Sequence, residues 1–170
     1  MREETLLLRP WALADAPAVI DALADPETHR WTPLPEPQSV QEAREWITTR
    51  IEQAATDEHE HFAVQTRHPD ELAGGVNVFF HEPWRAELGY FIVPGARRRG
   101  LASRAVSLVA EWAHRNGVER LEALIDAENV ASFPVVESAG FRREGLVRSY
   151  RRLHGVPRNM YIYARLASDP

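Results

Sequence analysis

The sequence of 170 residues contains no cysteine and no lysine, so all 20 of its basic residues are arginine. Without cysteine there is no thiolate nucleophile, no disulfide and no thiolate metal ligand. Without lysine there is no Schiff-base amine and no P-loop lysine of a nucleotide hydrolase. Long apolar runs are also absent, and the first residues lack the apolar region of a signal peptide. These absences predict a cytoplasmic protein with no membrane segment.

The charge is divided unevenly along the chain. Residues 1–96 hold 7 arginines against 17 acidic residues, whereas residues 97–170 hold 13 arginines against 8 acidic residues. Either the surface is simply solvated, or the second part binds a polyanion and the first part a cation. Nucleic acid is not predicted as a partner, because the net charge is −5 and no basic and aromatic pattern of a known nucleic-acid module occurs.

Hydrophobic periodicity and cap residues predict one α+β domain over residues 1–170. Apolar residues recur at helical spacing from Ala102 and predict a helix that Gly117 ends. Ser39 and Glu42 form a capping box that opens another helix. The other predicted elements are a strand over 5–11, a helix over 14–24, an irregular proline-rich loop over 25–37, strands over 61–66 and 72–80 joined by a turn at 68–70, strands over 86–93 and 121–125, a short helix over 132–139, and a hairpin of strands over 142–150 and 160–166.

A basic loop follows the predicted strand over 86–93 and precedes the periodic helix. The loop has the sequence Arg97-Arg98-Arg99-Gly100. The first N–H groups of a helix have no partner within the helix, and they lie at the positive end of its dipole. A loop of this kind is either a solvated connection or a phosphate site, and the order of strand, loop and helix favours the phosphate site.

This loop resembles a known cofactor loop. The pattern Arg97-x-x-Gly100-x-Ala102 is similar to the acyl-CoA pyrophosphate loop of the GNAT superfamily of N-acetyltransferases, and it occupies the same place after the fourth strand. The segment that begins at Asn129 and ends in Gly140-Phe141 also resembles that superfamily. The segments over 86–90 and 146–163 are similar to ribosomal-protein N-terminal acetyltransferases of the RimJ/RimL type.

The resemblance implies a GNAT-like fold and a CoA thioester. The expected sheet is mixed and mostly antiparallel, with about seven strands, about four flanking helices, and fourth and fifth strands that splay apart. Acetyl-CoA is the implied co-substrate, and its pantetheine arm lies between the splayed strands. The implied cofactor-binding residues are Phe91, Ile92, Val93, Arg97, Arg98, Arg99, Gly100, Leu101, Ala102, Ser103, Asn129 and Ser132.

The implied reaction is direct attack of a neutral amine on the thioester in a ternary complex. It needs a base, a backbone N–H near Ile92 for the oxyanion, and a donor for the leaving sulfur. Glu87 is the candidate base, with a solvated or substrate-orienting glutamate as the alternative. The tyrosine that many members use as acid falls on Val136. Ser132 is therefore the candidate donor, with a helix N-cap as the alternative.

The acceptor is predicted to be a primary amine, such as a peptide N-terminus, a polyamine or an aminosugar. The tail over 146–153 holds no acid, although some members of the branch use a glutamate there. Histidines 59, 61 and 81 lack convincing metal spacing, so no metal is predicted. The predicted lining of the acceptor cleft is Trp31, Phe79, Phe80, Trp84 and Tyr150, with Asp25, Glu27, Glu36 or Glu82 nearby.

Two alternative functions and the oligomeric state remain open from the sequence. The chain could be a catalytically weak acyl-CoA-binding or sensing domain, because the helix tyrosine and the tail glutamate are both missing. It could also transfer a longer acyl group, which would require a larger pocket. The oligomeric state is predicted only as a monomer or a homodimer.

Overall fold

A seven-stranded sheet is the centre of the computed structural model, which describes residues 6–56, 58–67 and 70–170. The strand order is β1-β2-β3-β4-β5-β7-β6. Neighbouring strands are antiparallel except β4 and β5, which are parallel. The mixed, mostly antiparallel sheet is therefore confirmed. The strands are β1 (Leu6–Pro10), β2 (His59–Arg67), β3 (Asp70–Glu82), β4 (Arg85–Ile92), β5 (Arg120–Asp126), β6 (Arg142–Leu153) and β7 (Val156–Leu166).

Five α-helices flank the sheet in the described part of the chain, one more than the resemblance implied. No helix there is long and apolar enough to cross a membrane. Thr5, where the first strand was predicted to begin, and positions 68–69 of the predicted turn lie outside the described residues. The helices are α1 (Ala16–Leu23), α2 (Pro26–Trp31), α3 (Val40–Gln53), α4 (Leu101–Arg115) and α5 (Phe133–Ser138).

The additional helix is α2, so the prediction of an irregular loop over 25–37 is wrong for its first part. The Asp25 carboxylate accepts a hydrogen bond from the Thr28 backbone N–H at 2.8 Å and caps the helix. Pro26 occupies the first helical position, where a missing N–H costs nothing. The local cap thus outweighs the prolines that follow.

Each face of the sheet packs against its own set of helices. The predicted apolar stripe of α4 is buried against the side chains of Val76, Val78 and Leu88 on one face. On the other face, α1 and α3 pack around Trp11 and Phe91. The sheet is therefore a layer with a hydrophobic core on either side, and we call the core on the α4 face the first core and the core on the face of α1 and α3 the second core.

The parallel strands β4 and β5 pair over only four residues, from Arg85–Arg120 to Leu88–Ala123. Beyond Leu88, β4 continues along β3 and β5 continues along β7. The sheet therefore opens into a gap, and the predicted splay of these strands is confirmed. Gly74 on β3 lies against this part of β4, where a Cβ atom would be 2.1 Å from the Phe91 carbonyl oxygen.

Candidate active site

The start of α4 presents a row of unpaired hydrogen-bond donors. Gly100 is the N-cap residue, with φ of +72°, and Arg98 also has a positive φ of +59°. The backbone N–H groups of residues 98–103 have no hydrogen-bond acceptor among the residues that the structure describes, and the first such bond is from Arg104 N–H to the Gly100 carbonyl at 3.2 Å. Six donors and the positive end of a helix of 15 residues create a site that suits an anion.

The Arg97 side chain has a different position from the neighbouring arginines of the loop. Its guanidinium donates to the Asp25 carboxylate and, at 3.0 Å, to the Thr28 hydroxyl. Its Nε also donates to the Ile92 carbonyl at 3.1 Å. Burial disfavours a charge on Asp25, but these bonds and the Thr28 backbone bond hold the pKa of that carboxyl below its usual value. Arg97 therefore joins α2, β4 and the loop through its side chain.

Two cavities lie on either side of the gap. The first, which we call the loop cavity, has a volume of about 650 Å³ and is lined by the start of α4, the arginine loop, the end of β4 and the segment before α5. The second, the sheet cavity, has a volume of about 430 Å³ and is lined by β3, β4, β5, the segment after α2 and the β6–β7 hairpin. The loop cavity therefore suits an anionic ligand, and the sheet cavity is a separate, mostly apolar site.

The aromatic lining of the sheet cavity is close to the prediction. Trp31, Phe79 and Phe80 line it, as expected. Trp84 and Tyr150 were predicted there but lie outside it, and their side chains are about half exposed. Trp84 lies in the turn between β3 and β4, and Tyr150 lies on the edge strand β6. Both side chains face solvent, so their apolar character did not indicate whether they line a cavity.

The acidic residues predicted near the acceptor do not line the sheet cavity. Asp25 binds Arg97, as described above, and Glu27 accepts a hydrogen bond from the Trp31 indole N–H at 2.6 Å. Glu36 lies 2.7 Å from His29, and Glu82 is exposed at the end of β3. Asp25, Glu27 and Glu36 serve local contacts of α2, and Glu82 faces solvent, so the negative charge of residues 1–96 does not predict the charge of the sheet cavity.

The carboxylates that do line the sheet cavity are each paired with an arginine of the hairpin. Glu87, with a side chain 14% exposed, accepts a hydrogen bond from Arg151 at 3.0 Å. The second Glu87 oxygen is 3.6 Å from His81 Nε2. Asp126, only 5% exposed, is 3.4 Å from Arg158 Nε. Sequence reasoning missed Asp126 and both arginine partners, because each pair joins residues far apart in the chain.

Asn129 and Ser132 lie where the two cavities meet, and both residues line both cavities. The Asn129 backbone carbonyl accepts from the Ser132 N–H at 3.1 Å, and the Asn129 side-chain carboxamide has no hydrogen-bond partner in the described part of the chain. Ser132 stands at the N-cap position of α5, but its side chain makes no capping hydrogen bond. Both side chains are thus available to a ligand that spans the cavities.

Tyr90 lies at the same junction, and sequence reasoning gave it no role in the chemistry. Burial raises the pKa of its phenol to about 12, an effect that the nearby Ser132 side chain partly counteracts. The hydroxyl oxygen is buried and makes no hydrogen bond of normal geometry with the described residues. The sequence signal was an aromatic residue with a polar end on a strand that leads into the gap.

The backbone at the end of β4 turns its polar groups alternately to β3 and to the gap. The Val93 N–H donates to the Ala73 carbonyl of β3 at 2.9 Å, so the polar groups of Ile92 face the gap. The Phe91 ring is buried in the second core, where it stacks on Trp11 at a centroid distance of 6.4 Å. Of the three predicted strand residues, Phe91 and Ile92 line the loop cavity, and Ile92 also turns its backbone towards the gap, whereas Val93 pairs with β3.

The fold and the arginine loop are those expected of the family whose model the chain matches. A family model described as an acetyltransferase (GNAT) domain matches residues 5–142. The chain belongs to this family, whose general reaction is acetyl transfer to an amine, and it is an acyltransferase enzyme.

Relatives with similar sequences are N-acetyltransferases of Bacillus. The uncharacterized N-acetyltransferase p20 of Bacillus licheniformis is 28% identical over 169 residues, which cover 98% of this chain and 95% of the relative. The probable N-acetyltransferase YjcK of Bacillus subtilis is 33% identical over 135 residues, which cover 77% of this chain and 75% of the relative.

Solved structures share the whole fold at low sequence identity. A GNAT-family acetyltransferase from Bacillus anthracis superposes with a TM-score of 0.87 at 22% identity and covers 99% of both chains. The microcin C7 self-immunity acetyltransferase MccE, solved with acetyl-CoA and AMP, has a TM-score of 0.86 at 17% identity and covers 96% of this chain and 93% of its own. Spermidine N-acetyltransferase from Vibrio cholerae, solved with CoA and spermine, has a TM-score of 0.82 at 17% identity and covers 98% of both chains. RimL and RimJ, each solved with a form of CoA, are also among these neighbours.

Proposed function

We propose that this enzyme transfers an acetyl group from acetyl-CoA to a primary amine, by direct attack of the amine within a ternary complex. The observation that carries the proposal is the meeting of two cavities at the gap between β4 and β5, one of them lined by unpaired N–H donors. A thioester that enters through the loop cavity and an amine that enters through the sheet cavity meet at this junction.

The loop cavity would hold the CoA portion. The backbone N–H groups of residues 98–103 would bind the pyrophosphate, and the exposed Arg98 and Arg99 side chains would add positive charge. The second lone pair of the Ile92 carbonyl, which already accepts from Arg97, and the free carboxamide of Asn129 would bind the pantetheine arm, which leaves the Ile92 N–H for the thioester oxygen. The acetyl-CoA complex of MccE, a protein of the same fold, supports this assignment.

The chemistry would take place between the two cavities. The amine nitrogen attacks the thioester carbonyl carbon, a C–N bond forms, and the amine proton passes to Glu87 directly or through water. The Ile92 N–H stabilises the negative oxygen of the tetrahedral intermediate. The C–S bond then breaks, and the Ser132 hydroxyl donates a hydrogen bond to the leaving thiolate.

The sheet cavity supports an amine acceptor of small to moderate size. Aromatic walls would bind an apolar part of the acceptor, and the Glu87 and Asp126 carboxylates would attract its amine. The spermine bound to the spermidine N-acetyltransferase shows that an amine occupies a protein of this fold, so polyamines stand beside peptide N-termini and aminosugars as candidates.

Calorimetric titration with acetyl-CoA, CoA and a longer acyl-CoA tests the cofactor assignment first. We expect one site that binds acetyl-CoA at least as tightly as the longer thioester, and absence of binding would overturn the proposal. A panel of amines, with release of the CoA thiol as the readout, then tests the reaction.

The alternative function is a catalytically weak acyl-CoA-binding or sensing domain. It is favoured by Val136, which is fully buried at the position of the missing helix tyrosine, and by the tail over 146–153, which holds no acid and whose Arg151 binds Glu87. Tight binding of acetyl-CoA without thiol release for any amine in the panel would establish this alternative. Thiol release that depends on the amine would exclude it.

A further inference from the structure

We propose that Tyr90 is a positioning residue, which donates a hydrogen bond to the Ser132 hydroxyl and thereby directs that hydroxyl at the leaving sulfur of the thioester. It would do part of the work of the helix tyrosine that Val136 replaces. This inference rests on the proposed function, because it concerns the same acetyl transfer.

Tyr90 and Ser132 approach the junction from opposite sides of the gap. Tyr90 lies on β4, two residues beyond the last residue that pairs with β5, and Ser132 precedes α5 on the β5 side. Both line the loop cavity and the sheet cavity. A thioester that spans both cavities would pass Tyr90 and Ser132, because these residues line both of them.

The Tyr90 phenol keeps its proton and is able to donate it in a hydrogen bond. Its pKa of about 12 keeps it protonated at neutral pH, and its buried oxygen has no other partner of hydrogen-bond geometry in the described residues. A hydroxyl that accepts a hydrogen bond becomes a stronger donor through its own proton. Ser132 is free to accept, because its side chain does not cap α5.

The bond between the two hydroxyls would form when the thioester binds. The Ser132 hydroxyl lies close enough to Tyr90 to affect the pKa of the phenol, but the two hydroxyls are not in hydrogen-bond geometry. Catalytic hydrogen bonds are often long or poorly aligned before the substrate binds, and they tighten in the complex. No proton leaves Tyr90 in this scheme, and coenzyme A departs as a thiolate that is stabilised by Ser132.

A purely structural role for the Tyr90 hydroxyl does not account for its surroundings. The ring packs against the first core, as a phenylalanine ring also would. Burial of a hydroxyl without a partner costs free energy, and replacement by an apolar group of the same shape is close to neutral or stabilising. The buried hydroxyl therefore costs stability unless a partner such as Ser132 accepts from it.

The test compares Tyr90→Phe, Ser132→Ala and the double variant with the wild-type enzyme. We expect Tyr90→Phe to lower kcat about 10-fold, which corresponds to about 1.4 kcal/mol, while KM for acetyl-CoA stays within about twofold and the melting temperature is unchanged or higher. The double variant should have the kcat of Ser132→Ala, because Tyr90 acts through Ser132. Tyr161→Phe, which removes a hydroxyl outside both cavities, is the matched control.

The outcomes separate this inference from the proposed function. If the wild type transfers acetyl groups and Tyr90→Phe is equally active, the inference is overturned and the proposed function stands. If the fold losses in kcat of the two single variants multiply in the double variant, the inference is also overturned, because Tyr90 would then act independently of Ser132. If the wild type binds acetyl-CoA but transfers nothing to any amine, the proposed function fails and this inference fails with it.

Discussion

At the scale of single residues, Glu87 has the position that a base for the acceptor amine requires. It lies on β4 in the wall of the sheet cavity, and its carboxylate is mostly buried. The hydrogen bond from Arg151 fixes one carboxylate oxygen, while the other oxygen is 3.6 Å from His81 and leaves room for an amine or a water molecule. The arginine therefore orients the carboxylate without using its whole acceptor capacity.

Glu87→Gln is expected to lower kcat by about 100-fold, since general base catalysis commonly contributes at least that factor. The substitution keeps the size of the side chain, so KM for acetyl-CoA should stay within about twofold. Steady-state thiol release with a responsive amine measures both parameters. Glu82→Gln, on β3 and outside both cavities, is the control and should behave like the wild type. Full activity of the Glu87 variant would remove this residue from the reaction.

At the scale of elements, α2 depends on Asp25 for both its start and its attachment to the arginine loop. The carboxylate caps the helix through Thr28 and binds Arg97 from the loop. Its pKa is lower in the folded protein than in the unfolded chain, so the unfolded chain binds more protons as the pH falls. This stabilisation is complete above the unfolded pKa of about 4 and is lost as the pH falls through the lower folded value.

Asp25→Asn should remove this pH dependence while it keeps an N-cap acceptor. We expect the variant to be less stable than the wild type by about 1 kcal/mol at pH 7, through loss of the charged hydrogen bond to Arg97. The difference should shrink towards pH 3. Urea unfolding at a series of pH values measures it, and a difference that is the same at pH 7 and pH 3 would contradict the assigned role.

The start of α4 needs a glycine for its conformation more than for space. A Cβ atom on Gly100 would meet no atom within 4 Å in the unliganded protein, but its φ of +72° is strained for residues with a side chain. Gly100→Val should therefore rotate the neighbouring N–H groups and bring bulk to the bound pyrophosphate. We expect the Kd for acetyl-CoA to rise at least 10-fold, or about 1.4 kcal/mol, as measured by calorimetry.

Two further variants make the cause of this loss clear. Gly95→Ala changes a nearby glycine that has open space and no positive φ, and its affinity should match the wild type. Gly100→Asn should lose less affinity than Gly100→Val, because asparagine tolerates the left-handed conformation. Unchanged affinity in Gly100→Val would show that acetyl-CoA does not bind at this loop.

Among the elements, those with a strong local pattern were predictable and those set by distant contacts were not. The α4 stripe and the Ser39 cap are local, and both are present in the structure. The α2 helix is not predicted although Asp25-Pro26 is itself a helix start signal, because the prolines at positions 33, 35 and 37 are typical of an irregular loop. The splay of β4 and β5 came only from the family resemblance, since no local pattern states where a pair of strands separates.

At the scale of the whole molecule, the loop cavity was predictable from the sequence, whereas the sheet cavity was predictable only in part. The loop cavity is built largely from consecutive residues after β4, so its motif can be read along the chain. The sheet cavity combines Trp31, Phe79, Glu87 and Arg151, which the topology brings together from α2, two strands and the closing hairpin. Its charge follows from pairs such as Glu87 with Arg151, which the net charge of a sequence segment cannot reveal.

Because both cavities depend on the folded arrangement of the sheet, acetyl-CoA should stabilise the whole protein. A ligand that binds only the folded state adds RT ln(1 + [L]/Kd), about 2.7 kcal/mol at 100 times Kd. For a protein of 170 residues this corresponds to a rise of about 5 to 10 °C in melting temperature. Thermal unfolding at several acetyl-CoA concentrations measures this rise.

The rise in melting temperature with acetyl-CoA should differ between variants according to the cavity that each substitution affects. Gly100→Val should show a much smaller rise than the wild type at the same acetyl-CoA concentration, because its loop cavity is altered. Glu87→Gln should show a rise close to that of the wild type, because its defect lies in the sheet cavity and concerns transfer. An equal loss of the rise in both variants would mean that the two cavities do not act as separate sites for the two substrates.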